Sequence, residues 1–138
     1  MGNVVLENKV RQYFAAWLEN RPEALEQLFA PEIVYSECYG PEYQGLEQVK
    51  RWFADWNRQG KVLEWRIKSV LQEGQNLAVE WYFCCEYQGT RDAFDGVSLL
   101  AFNEGGKIVS LKEFQSVAEH VFPYGKNGRN QELSLIHI

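Results

Sequence analysis

Apolar residues recur at three- and four-residue spacings through the first sixty positions, which is the pattern of amphipathic helices. A first helix is predicted by Val5, Val10, Tyr13, Phe14, Trp17 and Leu18. Pro22 suits the first turn of a short second helix over 22–29, and segment 32–39 after it is typical of a strand. A third helix, ending at Gly60, is predicted by Leu46, Val49, Trp52, Phe53 and Trp56.

From residue 61 the apolar period changes from helical to alternating. Strands with one wet face are predicted first by Leu63, Trp65, Ile67 and Leu71, and then by segments 77–87, 94–102 and 108–117. Turn-rich segments at 73–76, 88–92 and 103–106 join them as hairpins. The element order α-α-β-α-β-β-β-β indicates an α+β fold. Three helices would pack on one face of a strongly curved, mainly antiparallel sheet and close a cone-shaped barrel.

The length and the net charge of the chain limit its domain organisation and its binding partners. The 138 residues fit one domain, which we assign to 1–125, with a polar tail at 126–138 outside the fold. The net charge of -5 leaves no basic stripe, so neither nucleic acid nor an anionic membrane surface is an expected partner. No run of about 18 apolar residues predicts a transmembrane helix, and the first residues do not resemble a signal peptide.

The three cysteines, Cys38, Cys84 and Cys85, are an odd number without the spacing of a metal site. Neighbouring Cys84 and Cys85 would point to opposite faces of a strand, so they do not suggest a disulfide framework. A reduced, cytoplasmic location is the simplest interpretation.

Four short segments appear in order along the chain, from Tyr13-Phe-Ala-Ala-Trp and Leu28-Phe-Ala-Pro-Glu-Ile-Val to Gly45-Leu-Glu-Gln-Val and Phe102-Asn-Glu-Gly-Gly-Lys-Ile. Together with the element order, they resemble the nuclear transport factor 2-like superfamily, which includes SnoaL-like and ketosteroid isomerase-like proteins. The resemblance covers about 5–120. It implies an apolar pocket under the curved sheet that binds a small organic ligand.

Ketosteroid isomerase uses an Asp base, with a Tyr and a protonated Asp as oxyanion donors. Tyr13, sixteen residues before Phe29, matches the family's tyrosine, although a Tyr there could also serve only as core. The position eight residues after Phe29 is Glu37, which would be the base. Counting back from Gly45 instead selects Ser36, because the segment between strand and helix is one residue shorter here than in the family. A deletion is better tolerated in a loop than in a strand, and placing it in the loop favours Glu37. The alternative places Glu37 on the surface.

The family's second acid lies four residues before the phenylalanine of the Phe-Asn-Glu-Gly segment, where this chain has Ser98. A hydroxyl can donate one hydrogen bond, but it cannot replace a strongly perturbed acid. Isomerisation of the steroid type is therefore not expected.

The last predicted strand adds polar groups. By alternation, Leu111, Glu113 and Gln115 share one face. The Gly-Lys-Ile match turns that face toward the cavity, so that Glu113 faces Glu37. Two carboxylates in one apolar space repel each other, and one then tends to keep its proton. The opposite parity would bury Phe114 and leave Glu113 in water.

These observations predict a small-molecule pocket protein for an apolar organic ligand, with no metal and no other cofactor. If it is an enzyme, it would be a cofactor-free isomerase, dehydratase or cyclase, and its catalytic groups would be Glu37, Tyr13 and Glu113. The expected ligand contacts are Trp17, Tyr35, Trp52, Trp56, Trp65, Phe94, Ser98 and Gln115. The alternative is a non-catalytic binding or interaction module. It would form a homodimer through an outer sheet face that carries Glu64, Arg66, Lys68, Glu80, Tyr82 and Glu86.

Overall fold

The computed structural model of the chain describes residues 3–126. Its helices are α1 (Asn3–Glu19), α2 (Glu23–Leu28) and α3 (Leu46–Gln59). The strands are β1 (Phe29–Ser36), β2 (Glu42–Gln44), β3 (Gly60–Glu73), β4 (Asn76–Tyr87), β5 (Thr90–Phe102) and β6 (Ile108–Val117). They form one sheet in the order β2-β1-β6-β5-β4-β3, antiparallel except where β1 runs parallel to β6. The expected α+β fold with helices on a curved sheet is confirmed.

At its two edges the sheet differs from the sequence prediction. The sheet is unclosed, with β2 and β3 as its edges, so it is a partial barrel. The loop before α3 contains the short strand β2, where Tyr43 pairs with Tyr35 of β1. Three residues are too few to produce a visible alternation in the sequence. The expected tail falls almost wholly outside the described residues.

Strand β1 begins at Phe29, directly after α2, and therefore contains Pro31. Proline removes a backbone donor and is tolerated in a sheet at bulges. The pairing of β1 with β6 is irregular between Phe29 and Val34, which accommodates it.

Strand β3 does not keep the simple alternation that its sequence suggests. Its pairing with β4 shifts between Val62 and Glu64 and again between Ile67 and Ser69. Each extra residue reverses the face on which later side chains lie. Only the second shift lies between buried Trp65 and Leu71, so Leu71, expected on the same face as Trp65, lies on the other face and is 73% exposed.

The concave face of the sheet carries the core, and a glycine makes room for its largest ring. Trp81 of β4 is buried opposite Gly96 of β5. A Cβ on Gly96 would overlap both the Trp81 ring and the carbonyl oxygen of Phe114. The glycine thus lets the Trp81 indole lie across the sheet under the helices.

The remaining sequence expectations concern the cysteines and the membrane. All three cysteines are free thiols. Within the described part of the chain, no helix has both the length and the apolar character needed to span a bilayer.

Candidate active site

A small inner cavity lies between the helices and the concave face of the sheet, with a volume of about 40 Å³. All five tryptophans of the chain line it: Trp17, Trp52, Trp56, Trp65 and Trp81. Four further rings come from Tyr35, Tyr39, Phe83 and Phe94. Glu37 and Glu113 contribute two carboxylates, and Cys38 and Val62 complete the lining. The cavity is thus an aromatic chamber with an acidic pair.

A larger outer cleft of about 680 Å³ adjoins the inner cavity. Glu37, Tyr39, Trp52 and Trp56 line both spaces and therefore stand at their boundary. The cleft adds polar side chains that the inner cavity lacks, namely Gln48, Arg51, Asp55, Gln59 and Asp92.

A chain of hydrogen bonds leads from α1 to the acidic pair. The hydroxyl of Tyr13 donates to the hydroxyl of Tyr35 at 2.6 Å, and the hydroxyl of Tyr35 donates to the carboxylate of Glu113. Burial, reinforced by the charge of Glu113, raises the pKa of both tyrosines well above their ordinary value. Both hydroxyls therefore keep their protons, and the donors point in one direction, toward Glu113.

Glu113 is the acid whose charged form is least favoured. Burial is the main cause that raises its pKa to about 7, and the nearby carboxylate of Glu37 adds to the rise. Hydrogen bonds from Tyr35 and the backbone of Cys38 act in the opposite direction. Near neutral pH, Glu113 is therefore divided between its protonated and ionised forms.

Glu37 follows β1 in a turn closed by its own backbone N–H, which donates to the carbonyl of Pro41 at 3.0 Å. The Tyr43 hydroxyl donates to the Glu37 carboxylate at 2.5 Å, and the Tyr43 ring stacks on Trp52 at 4.7 Å between centroids. Burial raises the pKa of Glu37, and the hydrogen bond from Tyr43 opposes that rise. The two carboxylates thus have separate donors on separate elements.

Comparison with known protein families identifies the family of the chain. The SnoaL-like domain matches residues 10–111, most of the chain. The protein belongs to the SnoaL-like domain family. No curated protein matches the sequence.

Solved structures support the same placement. A ketosteroid isomerase-like protein of Catenulispora acidiphila, solved with trimethylamine, is 27% identical over 78% of this chain and 85% of that one, with a TM-score of 0.70. A proposed polyketide cyclase of Xanthomonas campestris pv. campestris is 14% identical over 80% and 90% of the two chains, with a TM-score of 0.66. An LEH-like epoxide hydrolase of M. tuberculosis is 12% identical over 79% and 80%, with a TM-score of 0.71. At those identities the last two share the fold alone.

The structure of this SnoaL-like domain brings most of the predicted site residues to the inner cavity. Eight of them line it: Trp17, Tyr35, Glu37, Trp52, Trp56, Trp65, Phe94 and Glu113. Phe114 is 55% exposed, so the last strand turns Glu113 inward and Phe114 outward.

Three predicted residues lie elsewhere. Tyr13 stands behind Tyr35 and reaches the acidic pair only through it. Ser98 is buried under the Trp81 ring, whose Nε1 donates to the Ser98 hydroxyl at 2.9 Å. Gln115, expected at pocket depth, is exposed in the part of β6 that extends beyond its pairing with β1, which ends at Lys112. Its amide donates to the Cys38 carbonyl at 3.3 Å.

Sequence reasoning missed Tyr43 and placed no special role on Trp81. Tyr43 lies in a segment that looked like a plain turn, and only its pairing with Tyr35 brings it to Glu37. For Trp81, the one available signal was a glycine, Gly96, inside an otherwise apolar strand. Among residues 3–126 no group of three His, Cys, Asp or Glu side chains could hold a metal ion.

Proposed function

We propose that this SnoaL-like domain binds a small organic molecule in the inner cavity and moves a proton on it without a cofactor. The observation that carries the proposal is that Glu37 and Glu113 line one cavity whose other walls are almost all aromatic. Carboxylates in such surroundings are tuned toward neutral pH, where an acid and a base work together.

The two carboxylates would divide the work. Glu37 would remove a proton from the ligand, and Glu113, with its pKa of about 7, would deliver one to the atom that gains electron density. Isomerisation, dehydration and ring closure all follow this scheme. Tyr35 and, through it, Tyr13 would position Glu113 rather than contact the ligand as oxyanion donors.

Ser98 and Gln115 would also act as positioning residues. The hydrogen bond between Trp81 and Ser98 fixes one wall of the cavity. The bond from Gln115 to Cys38 ties β6 to the turn that carries Glu37. The loss of either bond would change the separation of the acidic pair without removing it.

The size of the inner cavity limits the ligand. About 40 Å³ accommodates roughly three water-sized atoms. The trimethylamine bound to the Catenulispora protein supports a ligand of that scale. A larger molecule would place its reactive end in the inner cavity and the rest in the outer cleft, whose 680 Å³ is in the usual range for organic ligands.

Deuterium exchange tests the proposed chemistry without knowledge of the substrate. Small ketones and aldehydes are incubated with the protein in D2O, and exchange at the carbon next to the carbonyl is followed by NMR. We expect exchange above the buffer rate for at least one compound. Glu37→Gln should lower the rate by about a hundredfold or more, since general bases contribute on that order.

Glu104→Gln is the matched control, because Glu104 is an exposed glutamate in the hairpin between β5 and β6. It should exchange at the wild-type rate. Equal rates for wild type, Glu37→Gln and buffer across the panel would contradict catalysis at this site.

The second candidate is a non-catalytic binding or interaction module that dimerises through the outer sheet face. Ser98 in place of a second acid favours it, as do two apolar side chains on that face: Leu99 is 44% exposed and Phe114 55%. Around them, Glu64, Arg66, Lys68, Glu80 and Glu86 are exposed and Tyr82 is half-buried. A polar rim around an apolar centre suits an interface.

Two smaller points belong to the proposal. The fold would occupy 1–125, since the family match at 10–111 and the last strand at Val117 both fall inside it. Three free thiols support a reducing, cytoplasmic location.

A further inference from the structure

The inner cavity holds acidic groups without basic ones. Glu37 and Glu113 line it, and no Lys, Arg or His does. Within the described part of the chain, the seven ion pairs all involve other carboxylates. Arg51 lines the outer cleft but not the inner cavity. An ionised Glu113 therefore lacks a cationic partner, although a half-buried charge strongly favours one.

The remaining walls suit a cation as well. Nine of the thirteen lining residues are Trp, Tyr or Phe, and aromatic faces attract cations, with Trp the strongest. The indole N–H groups of Trp17 and Trp65 are buried with no hydrogen-bond partner among the described residues, but they carry no full charge that would offset the repulsion between an anionic ligand and an ionised carboxylate. A neutral apolar ligand would add no counter-charge for whichever of the two carboxylates is ionised.

We propose that the ligand of the inner cavity is a small organic ammonium cation, held by the aromatic walls and balanced by Glu113 and Glu37. This inference rests on the proposed function, because it names the chemical class of the molecule that the same cavity binds. A bare metal ion fits less well, since the residues described include no group of three suitable ligands. The volume of about 40 Å³ limits the cationic head to a few non-hydrogen atoms.

The test compares two probes of equal size and different charge. Dimethylammonium chloride and ethanol each contain three non-hydrogen atoms, which matches the cavity volume, and both are titrated into the full chain by calorimetry at pH 8, with tryptophan fluorescence as a second readout. We expect the cation to bind about tenfold more tightly than the alcohol or better. Glu113→Gln should lower the ratio of the two affinities about tenfold, and Glu37→Gln should lower it as well. Glu104→Gln should leave the ratio unchanged.

The affinity for the cation should also rise between pH 6 and pH 8. Ionisation of Glu113 accounts for that rise, since its pKa is about 7. The other titratable groups that face Glu113 in the cavity are Tyr35 from β1, and Glu37, Cys38 and Tyr39 after it; the cavity-lining residues of α1, α3, β3, β4 and β5 are uncharged Trp, Phe and Val. Tyr13 of α1 and Tyr43 of β2 also interact with the charge of Glu113, and burial raises the pKa of both, so they keep their protons in this window. Burial raises the pKa of Cys38 to about 12 and that of Tyr35 and Tyr39 further, so none of these three titrates in this window. Glu113→Gln should therefore flatten most of the pH dependence.

The outcomes separate this inference from the proposed function. Equal binding of the two probes would overturn the ammonium assignment and leave a small-molecule site intact. The same holds if the alcohol binds more tightly. Binding of neither probe, with unchanged tryptophan fluorescence, would also overturn it; combined with no deuterium exchange, that result would remove the proposed function as well.

Discussion

Glu113 receives a hydrogen bond from Tyr35, lies among aromatic rings and faces the second carboxylate of Glu37. Burial dominates its electrostatics, and the two hydrogen bonds that it receives only reduce the effect. The same residue type on the hairpin at Glu104 is solvated. Environment alone therefore separates a buried carboxyl group with a raised pKa from a solvated one.

Replacement of Glu113 by Gln should stabilise the protein at alkaline pH. Its folded-state pKa of about 7 lies above the unfolded value of 4.5, so the folded state binds the extra proton. Wild type should lose stability as pH rises from about 4.5 to about 7, whereas Glu113→Gln should not. Urea denaturation at pH 5 and pH 8 measures the free energy of unfolding of both proteins. Relative to wild type, the free energy of unfolding of the variant should rise by up to about 3 kcal/mol from pH 5 to pH 8. If variant and wild type differ in unfolding free energy by the same amount at both pH values, the raised pKa of Glu113 is contradicted.

The hydrogen bonds from Tyr13 to Tyr35 and from Tyr35 to Glu113 predict which tyrosine substitution destabilises the protein more. Tyr35→Phe removes the donor to Glu113 and leaves the buried Tyr13 hydroxyl without its acceptor, which costs about 1–3 kcal/mol of unfolding free energy. Tyr13→Phe leaves the bond from Tyr35 to Glu113 intact and should cost less. Denaturation of both variants at pH 8 checks the order. A larger loss for Tyr13→Phe would show that the donors run the other way.

The sequence named both carboxylates as candidates and left a surface position open for each. The family's spacing from Phe29 favoured Glu37, and strand alternation together with the Gly-Lys-Ile match favoured Glu113. Hydrogen-bond partners could not be found in this way, because Tyr13 and Tyr35 are 22 positions apart and meet only through the fold. The position of Gln115 could not be predicted because alternation gives the face of a side chain but not that β6 extends there beyond its pairing with β1.

At the scale of elements, β4 and β5 supply the wall under the cavity. Trp81 and Gly96 lie opposite each other in this pair of strands, and Ser98 anchors the indole two residues along. The ring fills the space that a side chain at residue 96 would need. The position of the wall therefore depends on the absence of one methyl group.

Gly96→Ala should destabilise the protein by about 1–3 kcal/mol and displace the Trp81 ring, since its Cβ would overlap that ring and a backbone oxygen that cannot move freely. Thermal unfolding measures the loss, and tryptophan fluorescence reports the displacement. Gly105→Ala is the control in the β5–β6 hairpin, where the nearest atom to a Cβ would be Asn103 Oδ1 at 3.4 Å. Equal stability of the two variants would contradict this account of the wall.

Element types were predictable and element details were not. Long helices and strands have a period that their sequences display, so α1, α3 and the three hairpin strands β4 to β6 were found. Strand β2 is too short to have a period. The bulges of β3 depend on its partner strand, so the exposure of Leu71 could not be anticipated from β3 alone.

At the scale of the whole molecule, the curved sheet separates two surfaces of different character. Its concave face and the helices enclose the cavity, while its outer face presents Leu99 and Phe114 among charged side chains. The cavity and the proposed dimer surface are therefore on opposite sides of one sheet, and each can be altered without the other.

Light scattering after size exclusion at micromolar concentration should give twice the monomer mass for wild type. Phe114→Lys should give a monomer, because it places a charge at the centre of the apolar patch. Val5→Lys is the control, since Val5 is equally exposed but lies on α1. A monomeric wild type would contradict the dimer without affecting the cavity.

The central claim is that one of the two cavity carboxylates carries a proton near neutral pH. A ¹³C NMR titration of the glutamate side chains tests it most directly, with Glu37→Gln and Glu113→Gln to assign the signals. We predict that Glu113 titrates with a pKa of about 7 and that the pKa of Glu37 lies above its ordinary value of 4.5. Titration of both residues at or below that ordinary value would contradict the account.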